Sequence, residues 1–385
     1  MDKITENCTG CRTCELLCPK GAIGFVADKE GFSVPSINQL LCVNCGLCQS
    51  RCPQNLSMGR SIPQRTIAVR YKNDEVLYKS ASGGAFAAMA LSVIRNGGSV
   101  FGVEYDKEWN AVFASAESEE QLMPILSSKY VQADTLQSYR EVEKLLKKGR
   151  QVLYCGTGCQ IGGLKSFLHK EYDNLIIIDL ICHGVSSPLL FRKYVAWLSE
   201  KHISPILEYD FRDKRGGWGL GYKYKYKYKY KYVYHSCNLD PYYYHFLKGD
   251  AYRECCYLCK YCTKERVGDI TIGDYWGIEK EHPQFFSTKG VSVVLLNSKK
   301  GVDFFGSIDN LFHICESSFE QAAKHNQNLL RPTHRLAERN TIYEDIADRD
   351  FADLSFVKAF RPSWKSRLKE LIPPSVKLLI KKSQK

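Results

Sequence analysis

The feature that most constrains this chain is a cysteine motif that occurs twice near its N-terminus. In both copies four cysteines follow the spacing C-x2-C-x2-C-x3-C, and a proline comes next. The copies are Cys8, Cys11, Cys14, Cys18 and Pro19, and then Cys42, Cys45, Cys48, Cys52 and Pro53. Three thiolates from one tight loop reach three irons of a 4Fe-4S cluster, and the fourth cysteine reaches across to the other cluster. The doubled motif therefore predicts two 4Fe-4S clusters.

The crossed fourth ligand divides the eight cysteines into two sets. One set is Cys8, Cys11, Cys14 and Cys52, and the other is Cys42, Cys45, Cys48 and Cys18. A pair of structural zinc sites is the alternative, but zinc requires neither the proline nor a crossed ligand. Residues 1–60 resemble a bacterial two-cluster ferredoxin, which implies an α+β ferredoxin-like domain that carries electrons.

The remaining residues are numerous and apolar enough to form their own core. The chain has 385 residues, and 44% of them are hydrophobic, which predicts a globular protein. Seventeen cysteines with no apolar leader before Cys8 predict a reducing, cytoplasmic location. No apolar run approaches the roughly 18 residues of a membrane span.

The net charge of +12 is concentrated in two segments. Arg361–Lys385 contains eight basic residues and one acidic residue, and Tyr222–Tyr234 contains five lysines. The rest of the chain is neutral as a whole, which argues against nucleic acid as a partner.

Composition divides the chain into four regions. A linker at Gly59–Pro63 follows the first region, and helical and strand patterns alternate after it, with helices at Ala85–Ile94 and Leu136–Lys148. Short apolar strands that end in glycine turns then predict an α/β domain with a mixed sheet. Beyond Asn310 we expect a helical and increasingly basic chain. The predicted regions are residues 1–60, 66–148, 149–330 and a helical basic tail at 331–385.

Six short motifs occur in one order between residues 66 and 297. They are Ser80–Gly84 (SASGG), Gly156–Gln160 (GTGCQ) with Gly163–Lys165 (GLK), Asp179–Gly184 (DLICHG), Phe211–Lys214 (FRDK) with Trp218, Cys256–Cys259 (CYLC) and Gly268–Gly277 (GDITIGDYWG). In this order they resemble the coenzyme F420 hydrogenase/dehydrogenase beta-subunit family. The resemblance implies an iron-sulfur flavoprotein oxidoreductase, in which FAD exchanges hydride with a deazaflavin and single electrons with a 4Fe-4S cluster. Bacterial relatives with an N-terminal ferredoxin look like parts of surface-polysaccharide gene sets.

The resemblance also implies a third 4Fe-4S cluster. Its ligands would be Cys159, Cys182, Cys256 and Cys259, each of which lies in a family motif. Only the C-x-x-C pair is local in the sequence, so the other two ligands depend on the resemblance. A zinc site and buried thiols without a ligand are the alternatives. Cys155, Cys255 and Cys262 are near enough in sequence to replace a ligand.

Two glycine turns are candidates for binding FAD. Backbone N–H groups at a helix N-terminus attract anions, and glycine lets a pyrophosphate approach. An ordinary helix cap is the alternative for the first turn. The second turn has glycine at position 158, where relatives have proline, so we expect it to be looser. The predicted cofactor-binding residues are Ser82, Gly83, Gly84, Gly156, Thr157, Gly158, Gln160 and Trp276.

Two side chains are candidates for catalysis. His183 follows a strand and could donate a proton near a flavin. Asp274 ends the strand DITIG and could contact the isoalloxazine ring or the substrate. The alternatives are a structural histidine and a turn aspartate. The redox partner would be a deazaflavin, a nicotinamide or a protein electron donor, and a non-catalytic electron carrier is the rival hypothesis.

The two basic segments have simpler predictions. Tyrosine and lysine alternate through Tyr222–Tyr234, and this period of two predicts an amphipathic edge or hairpin strand with its rings on one face. In the tail, apolar residues stand among lysines on both sides of Pro373 and Pro374. This pattern predicts either a solvated tail or peripheral contact with the inner face of a membrane.

Overall fold

The structure is a computed structural model that describes residues 7–383, apart from the side chains of Lys229 and residues 381–383. The strands are β1 Ile23–Ala27, β2 Ser33–Ile37, β3 Arg65–Tyr71, β4 Ser99–Tyr105, β5 Ala111–Ala116, β6 Val152–Thr157, β7 Leu175–Leu180, β8 Ile206–Asp213, β9 Gly221–Tyr226, β10 Lys231–Ser236, β11 Ile270–Asp274, β12 Ser292–Leu296 and β13 Phe312–Ser317. The helices are α1 Thr13–Leu17, α2 Leu47–Ser50, α3 Asp74–Lys79, α4 Ala85–Arg95, α5 Glu119–Leu122, α6 Ser138–Lys147, α7 Gly158–Leu168, α8 Pro188–His202, α9 Pro241–Lys248, α10 Ile278–Glu281, α11 Lys299–Gly306, α12 Phe319–Ala323, α13 Arg339–Tyr343, α14 Ser355–Ala359, α15 Trp364–Leu371 and α16 Pro374–Ser383.

The N-terminal region is a small α+β unit. Its strands β1 and β2 form an antiparallel pair, and its helices α1 and α2 each follow a cysteine loop. Arg12 and Gly46 precede these helices with φ of 58° and 72°. This left-handed turn lets the chain reverse within a few residues of each cysteine.

An eight-stranded mixed sheet forms the body, as the sequence predicts. Its strand order is β13-β3-β12-β11-β7-β6-β4-β5. The pairs β4/β6, β6/β7 and β7/β11 are parallel, and the remaining pairs are antiparallel. The carboxyl ends of β6, β7 and β11 therefore lie along one edge, where α/β sheets commonly bind ligands.

Apolar helices cover both faces of this sheet. Tyr154 of β6 packs in the same core as α7 and α8, and its neighbours Leu153 and Cys155 pack in the core that includes α4 and α11. Successive side chains of a strand point to opposite faces, so β6 needs apolar residues at every position. The predicted helices at Ala85–Ile94 and Leu136–Lys148 are present as α4 and α6.

The structure differs from the sequence prediction in two places near the C-terminus. The chain beyond Asn310 is not wholly helical, because Phe312–Ser317 form β13 on the outer edge of β3. The predicted tail also begins later than residue 331, because Ile342, Tyr343 and Phe356 are buried in the core. The regions 66–148 and 149–330 share the single large sheet, since β3, β4 and β5 come from the first of them.

The tyrosine and lysine stretch forms a hairpin rather than one long strand. Strands β9 and β10 pair antiparallel around a 3-10 turn at Tyr228–Tyr230. Tyr222 and Tyr224 of β9 are buried, but Tyr232 of β10 stands opposite Lys225 of β9. Directly opposed residues share a face of the sheet. The expectation that all rings lie on one face is therefore wrong, because the turn changes the register.

The N-terminal unit packs directly against the body. Helix α1 lies beside α7, and the hydroxyl of Thr13 in α1 donates to the carbonyl of Gly163 in α7 over 3.0 Å. Ser61, which lies in the segment between the two units, forms an isolated β-bridge with Arg266 of the body. No helix within residues 7–383 is long and apolar enough to cross a membrane.

Candidate functional site

The cysteines of the second motif share a cavity with the last cysteine of the first motif. This cavity has a volume of about 210 Å³, and Cys18, Cys42, Cys45 and Cys48 all line it. Ala22, Ile23 and Leu47 supply apolar lining, and the N–H of Ala22 donates to Cys18 Sγ over 3.3 Å. Four thiols in an apolar loop fit a 4Fe-4S cluster, whose usual protein ligands are cysteine thiolates.

The other predicted set of four thiols is also drawn together. Burial raises the pKa of Cys14, and the neighbouring thiols of Cys11, Cys8 and Cys52 raise it further. Cys52 therefore lies near the first motif, although 34 residues or more separate them in sequence. The N–H of Gly10 donates to Cys8 Sγ over 3.4 Å. The donor set fits a second cluster, and the ligand assignment itself stays a prediction.

A second cavity gathers the cysteines of the body. It has a volume of about 50 Å³, and its lining includes Cys159, Cys182, Cys255, Cys256, Cys259 and Cys262. Cys159 lies in the first turn of α7 just after β6, and Cys182 follows β7. Because β6 and β7 are parallel neighbours, these thiols meet at one edge of the sheet. The four thiols predicted for a third cluster therefore lie together, with Cys255 and Cys262 as two further donors.

Burial keeps most of these thiols protonated in the absence of metal. It raises the pKa of Cys182 to about 12 and also raises the pKa of Cys159. A hydrogen bond from Cys262 lowers the pKa of Cys259 to about 6. A thiol must lose its proton to bind a metal, so iron binding here would release protons.

Within residues 7–383, no group of three or more Cys, His, Asp or Glu side chains is placed to hold a single metal ion. The thiolates of a 4Fe-4S cluster bind different irons and stand farther apart than the ligands of one zinc ion. The zinc alternative therefore gains no support from this part of the chain.

Two cations stand where the N-terminal cysteines meet the body cavity. Arg253 influences the pKa of both Cys8 and Cys255, and its guanidinium donates to the Ser33 carbonyl over 2.9 Å. Lys260 follows Cys259 and donates to the carbonyls of Pro53 (2.5 Å) and Leu56 (2.9 Å). The first cysteine set and the body set are thus neighbours, and cationic side chains lie between them.

A polar cluster lies further along the same edge of the sheet. Arg212 donates to both carboxylate oxygens of Asp274 over 2.6 and 2.8 Å, and Trp218 Nε1 donates to one of them over 2.8 Å. Burial opposes ionisation of Asp274, but Arg212 and hydrogen bonds from Arg212, Trp218 and Ser82 hold its pKa below the usual range. Trp218 and Trp276 stack with parallel rings 5.0 Å apart. The sequence-predicted Ser82, Asp274 and Trp276 are thereby brought together.

The charged side chains of the Arg-Asp-Lys motif lie in the interior of the protein. Arg212, Asp213 and Lys214 are all buried, so they are not a solvated run of charges. Lys214 Nζ donates to the carbonyls of Leu77 (2.8 Å) and Ser82 (2.5 Å). Burial, aided by Arg212, lowers the pKa of Lys214 to about 7.

Two backbone donors of the predicted glycine turns are already hydrogen-bonded within the protein. The N–H of Gly83 already donates to Ser292 Oγ, and the N–H of Thr157 donates to Gln160 Oε1, both over 2.9 Å. Gly84 has φ of 78° at the start of α4, and Gly156 packs against Gln160. Aromatic rings and paired charges at the edge suit a flavin in their chemistry, but these two backbone donors are committed within the protein.

Gly158 is closely packed, which corrects the expectation of a looser turn. A Cβ on Gly158 would stand 2.8 Å from the Cβ of Tyr261, and a Cβ on Gly162 would stand 2.2 Å from the Tyr261 hydroxyl. The ring of Tyr261 therefore occupies the space that a side chain at position 158 would need.

His183 lies between the cysteine cavity and the polar cluster. It lines the cavity and is accessible there, yet surrounding protein desolvates the ring and lowers its pKa, with Arg212 acting in the same direction. The carboxylate of Asp274 partly offsets this shift, because it raises the pKa of His183. The neutral imidazole is favoured, and His183 is the one sequence-predicted catalytic residue that borders both groups.

Comparison with known proteins assigns two regions of the chain. Residues 149–318 match the family model for the C-terminal part of the coenzyme F420 hydrogenase/dehydrogenase beta subunit, and residues 7–56 match the 4Fe-4S dicluster domain. Each region is similar to the family whose model it matches. The predicted combination of a beta-subunit region with an N-terminal ferredoxin domain is therefore confirmed, and the chain is related to iron-sulfur electron-transfer oxidoreductases.

Two further relatives are more distant or shorter. The chain is 38% identical over 50 residues to an uncharacterised ferredoxin of Methanocaldococcus jannaschii, a match that covers 13% of this chain and 64% of that ferredoxin. A chain in a xenon-derivatised structure of the F420-reducing NiFe hydrogenase complex from Methanosarcina barkeri superposes with a TM-score of 0.45 and 14% identity. That superposition covers 70% of this chain and 91% of the other.

Eight residues that line the cysteine cavity are absent from the sequence prediction. They are Thr9, Gln54, Val185, Arg253, Lys260, Tyr261, Arg266 and Asn328. Thr9, Gln54, Lys260 and Tyr261 stand within two residues of a motif cysteine, and that adjacency is the signal by which these four could have been found. The beta-subunit region alone would not have indicated Thr9 and Gln54, because they come from the dicluster domain.

Proposed function

We propose that this chain is an iron-sulfur flavoprotein oxidoreductase that moves electrons through three cysteine-held clusters to or from a flavin at the edge of the large sheet. Such clusters supply one-electron steps, and a flavin links these to two-electron chemistry. The proposed ligands are the two crossed sets in the dicluster domain and Cys159, Cys182, Cys256 and Cys259 in the beta-subunit region.

The observation that carries the proposal is the continuity of the three thiol groups. Cys8 and Cys255 are close enough to affect each other electrostatically, and residues of both domains line the body cavity. Cys18 connects the outer cavity to the first motif, since it belongs to that motif and lines the cavity of the second. In this order, the set Cys18, Cys42, Cys45 and Cys48 would be the outermost of the three, because Cys45 is exposed.

The residues beside the cavity would position and protect a flavin. Arg212 and Lys214 offer positive charge, and the stacked Trp218 and Trp276 offer an aromatic surface. His183, with its lowered pKa, would accept or hold a proton between the thiol groups and this surface. The charges of Arg212 and Asp274, which shift the pKa of His183 in opposite directions, would set the electrostatic environment of its ring.

A non-catalytic electron carrier is the second candidate, and one observation favours it. The N–H groups of Gly83 and Thr157 are hydrogen-bonded inside the protein, as expected if no pyrophosphate binds these turns. The link to surface polysaccharides rests on the resemblance alone and stays a prediction. The deazaflavin, the nicotinamide and the protein donor also remain open as partners.

Anaerobic purification with cofactor and iron analysis tests the proposal. We expect bound flavin and about twelve irons per chain, four for each proposed cluster. Cys259→Ser should remove about four of these irons and one of the cluster signals in the electron paramagnetic resonance spectrum. Cys237→Ser is the matched control, because Cys237 is buried in the core and lines neither cysteine cavity.

The outcomes separate the two candidates. Full iron without flavin would favour the electron carrier and remove the flavoprotein part of the proposal. Loss of no iron in Cys259→Ser would show that Cys259 is not a required cluster ligand, and the same result in Cys159→Ser/Cys259→Ser would show that the body thiols hold no cluster.

A further inference from the structure

The last two helices carry large apolar side chains that are exposed. In α15, Trp364, Leu368 and Leu371 follow the i, i+4, i+7 spacing of one helix face. Their exposed fractions are 67%, 53% and 79%. Large apolar side chains grouped on an exposed face mark interaction surfaces more often than isolated ones do.

Helix α16 repeats this arrangement after the break at Pro373. Val376, Leu379 and Ile380 follow the i, i+3, i+4 spacing, with exposed fractions of 40%, 64% and 45%. At ten residues this helix is about half the length that a membrane span requires. A helix of this length can lie along a bilayer surface but cannot cross it.

The single acidic residue of this segment is turned toward the body. Glu370 accepts hydrogen bonds from the N–H of Ser236 (3.2 Å) and from Lys377 Nζ (3.3 Å), and it stands 3.3 Å from His235 Nδ1. These contacts fix α15 against the base of the β9/β10 hairpin. Trp364, Leu368 and Leu371 remain exposed outside this contact.

Most of the described basic side chains of the tail form no ion pair. Of its described basic side chains, Lys377 alone forms an ion pair, and Arg361–Lys385 carries eight basic residues. The hairpin differs, because Lys223 pairs with Asp210 and Lys225 pairs with Glu208. Three described basic residues without an ion pair, Lys365, Arg367 and Lys369, therefore lie in α15 together with its exposed apolar residues, and α16 follows directly after them.

We propose that α15 and α16 dock the protein on an anionic lipid bilayer. Leucine, isoleucine and tryptophan side chains would enter the boundary between headgroups and acyl chains, as in interfacial helices. Lysine and arginine would meet the anionic headgroups. Charge complementarity selects an anionic bilayer as the occupant, and this proposal is independent of the cofactors proposed above.

Vesicle sedimentation of the full-length protein tests this proposal. We expect the protein to pellet with vesicles of equal parts phosphatidylcholine and phosphatidylglycerol, and not with phosphatidylcholine alone. Raising the salt concentration should release it, because screening weakens surface electrostatics. The double variant Leu368→Glu/Leu379→Glu should lower the partition coefficient by about tenfold or more, since it removes two apolar anchors and adds negative charge.

Matched variants keep the test decisive. Ile203→Glu changes another apolar residue, 95% exposed, on the body, and should bind like the wild type. A chain that ends after Phe360 should remain in the supernatant, and far-ultraviolet circular dichroism checks that each variant has folded. Equal sedimentation of the wild type, the double variant and the shortened chain would overturn the proposal, as would equal binding to both kinds of vesicle.

Discussion

At the scale of single residues, the two buried basic side chains of the Arg-Asp-Lys motif have different partners. Arg212 has a carboxylate partner in Asp274, whereas the ammonium group of Lys214 is bonded to two carbonyl oxygens. An ammonium ion that is removed from water without a bonded carboxylate favours its neutral form. An anionic group bound beside Lys214 would stabilise the charged form, which suits a site for a phosphate-bearing cofactor.

The lowered pKa of Lys214 predicts a specific pH dependence of stability. Its folded-state pKa is about 7, and an unfolded lysine has a pKa of about 10.4. Between these values the unfolded chain binds more protons, so the folded state gains stability as the pH rises. We expect the anaerobic melting temperature of the wild type to rise relative to that of Lys214→Met between about pH 7 and pH 9.

Lys107→Met is the control for this measurement, because Lys107 is exposed. Its melting temperature should follow the wild type at every pH. Parallel curves for the wild type and Lys214→Met would contradict the prediction.

Part of the site could be predicted from the sequence because the chemistry is local. Four cysteines within eleven residues can only form a compact loop of thiols, so the doubled motif indicated both N-terminal groups. Cys159 and Cys182 required the resemblance, because only the parallel pairing of β6 and β7 brings them together. The bond between Arg212 and Asp274 spans 62 residues, and no periodic pattern encodes such a pair.

At the scale of elements, the hairpin shows that one repeat can have two structural roles. In β9, Tyr222 donates to the buried Asp240 over 3.1 Å and Tyr224 bonds His202 over 2.8 Å. In β10, Tyr232 is 40% exposed and donates to Glu208 on the surface over 2.7 Å. Strand β9 packs its tyrosines into the core, whereas β10 forms the outer strand of the three-stranded sheet β10-β9-β8.

Alanine substitution within this repeat should separate the two roles. Tyr224→Ala removes a ring that is 1% exposed, and should destabilise the fold by about 3 kcal/mol because it leaves a cavity. Tyr232→Ala should cost less than about 1 kcal/mol, as surface substitutions usually do. Denaturant unfolding of both variants under anaerobic conditions measures the difference. Equal losses would mean that the hairpin does not pack as described.

The fold was predictable where local signals agree with the tertiary structure. Strand β6 was predictable as a short apolar strand that ends in a glycine turn, because it is buried on both faces and Gly158 follows it at the start of α7. Strand β13 was missed because its sequence, FHICES, alternates weakly and depends on pairing with β3. The hairpin turn was missed because residues 227–231 continue the repeat without glycine, asparagine or proline.

At the scale of the whole molecule, cationic side chains fasten the dicluster domain to the body. Arg339 donates to both carboxylate oxygens of Glu30 over 2.5 Å. Arg12 pairs with Asp134, and Arg51 donates to the Ser166 carbonyl over 2.6 Å. With Arg253 and Lys260, these contacts surround the region where the first cysteine set meets the body cavity. A fixed distance between redox groups is what an electron-transfer protein requires.

This attachment predicts that the two domains stay together after the connection is cut. A protease site inserted after Gly59 would be cleaved once the clusters have assembled, and the two fragments should elute together in anaerobic size exclusion. Arg339→Met leaves Glu30 without its partner, so it should weaken fragment association by on the order of 100-fold or more. Arg65→Met removes a pair with Glu316 that is half exposed and outside the interface, and should leave association unchanged. Separation of the wild-type fragments would mean that the dicluster domain is tethered by the linker rather than docked, and the continuity of the three cysteine groups would then be lost.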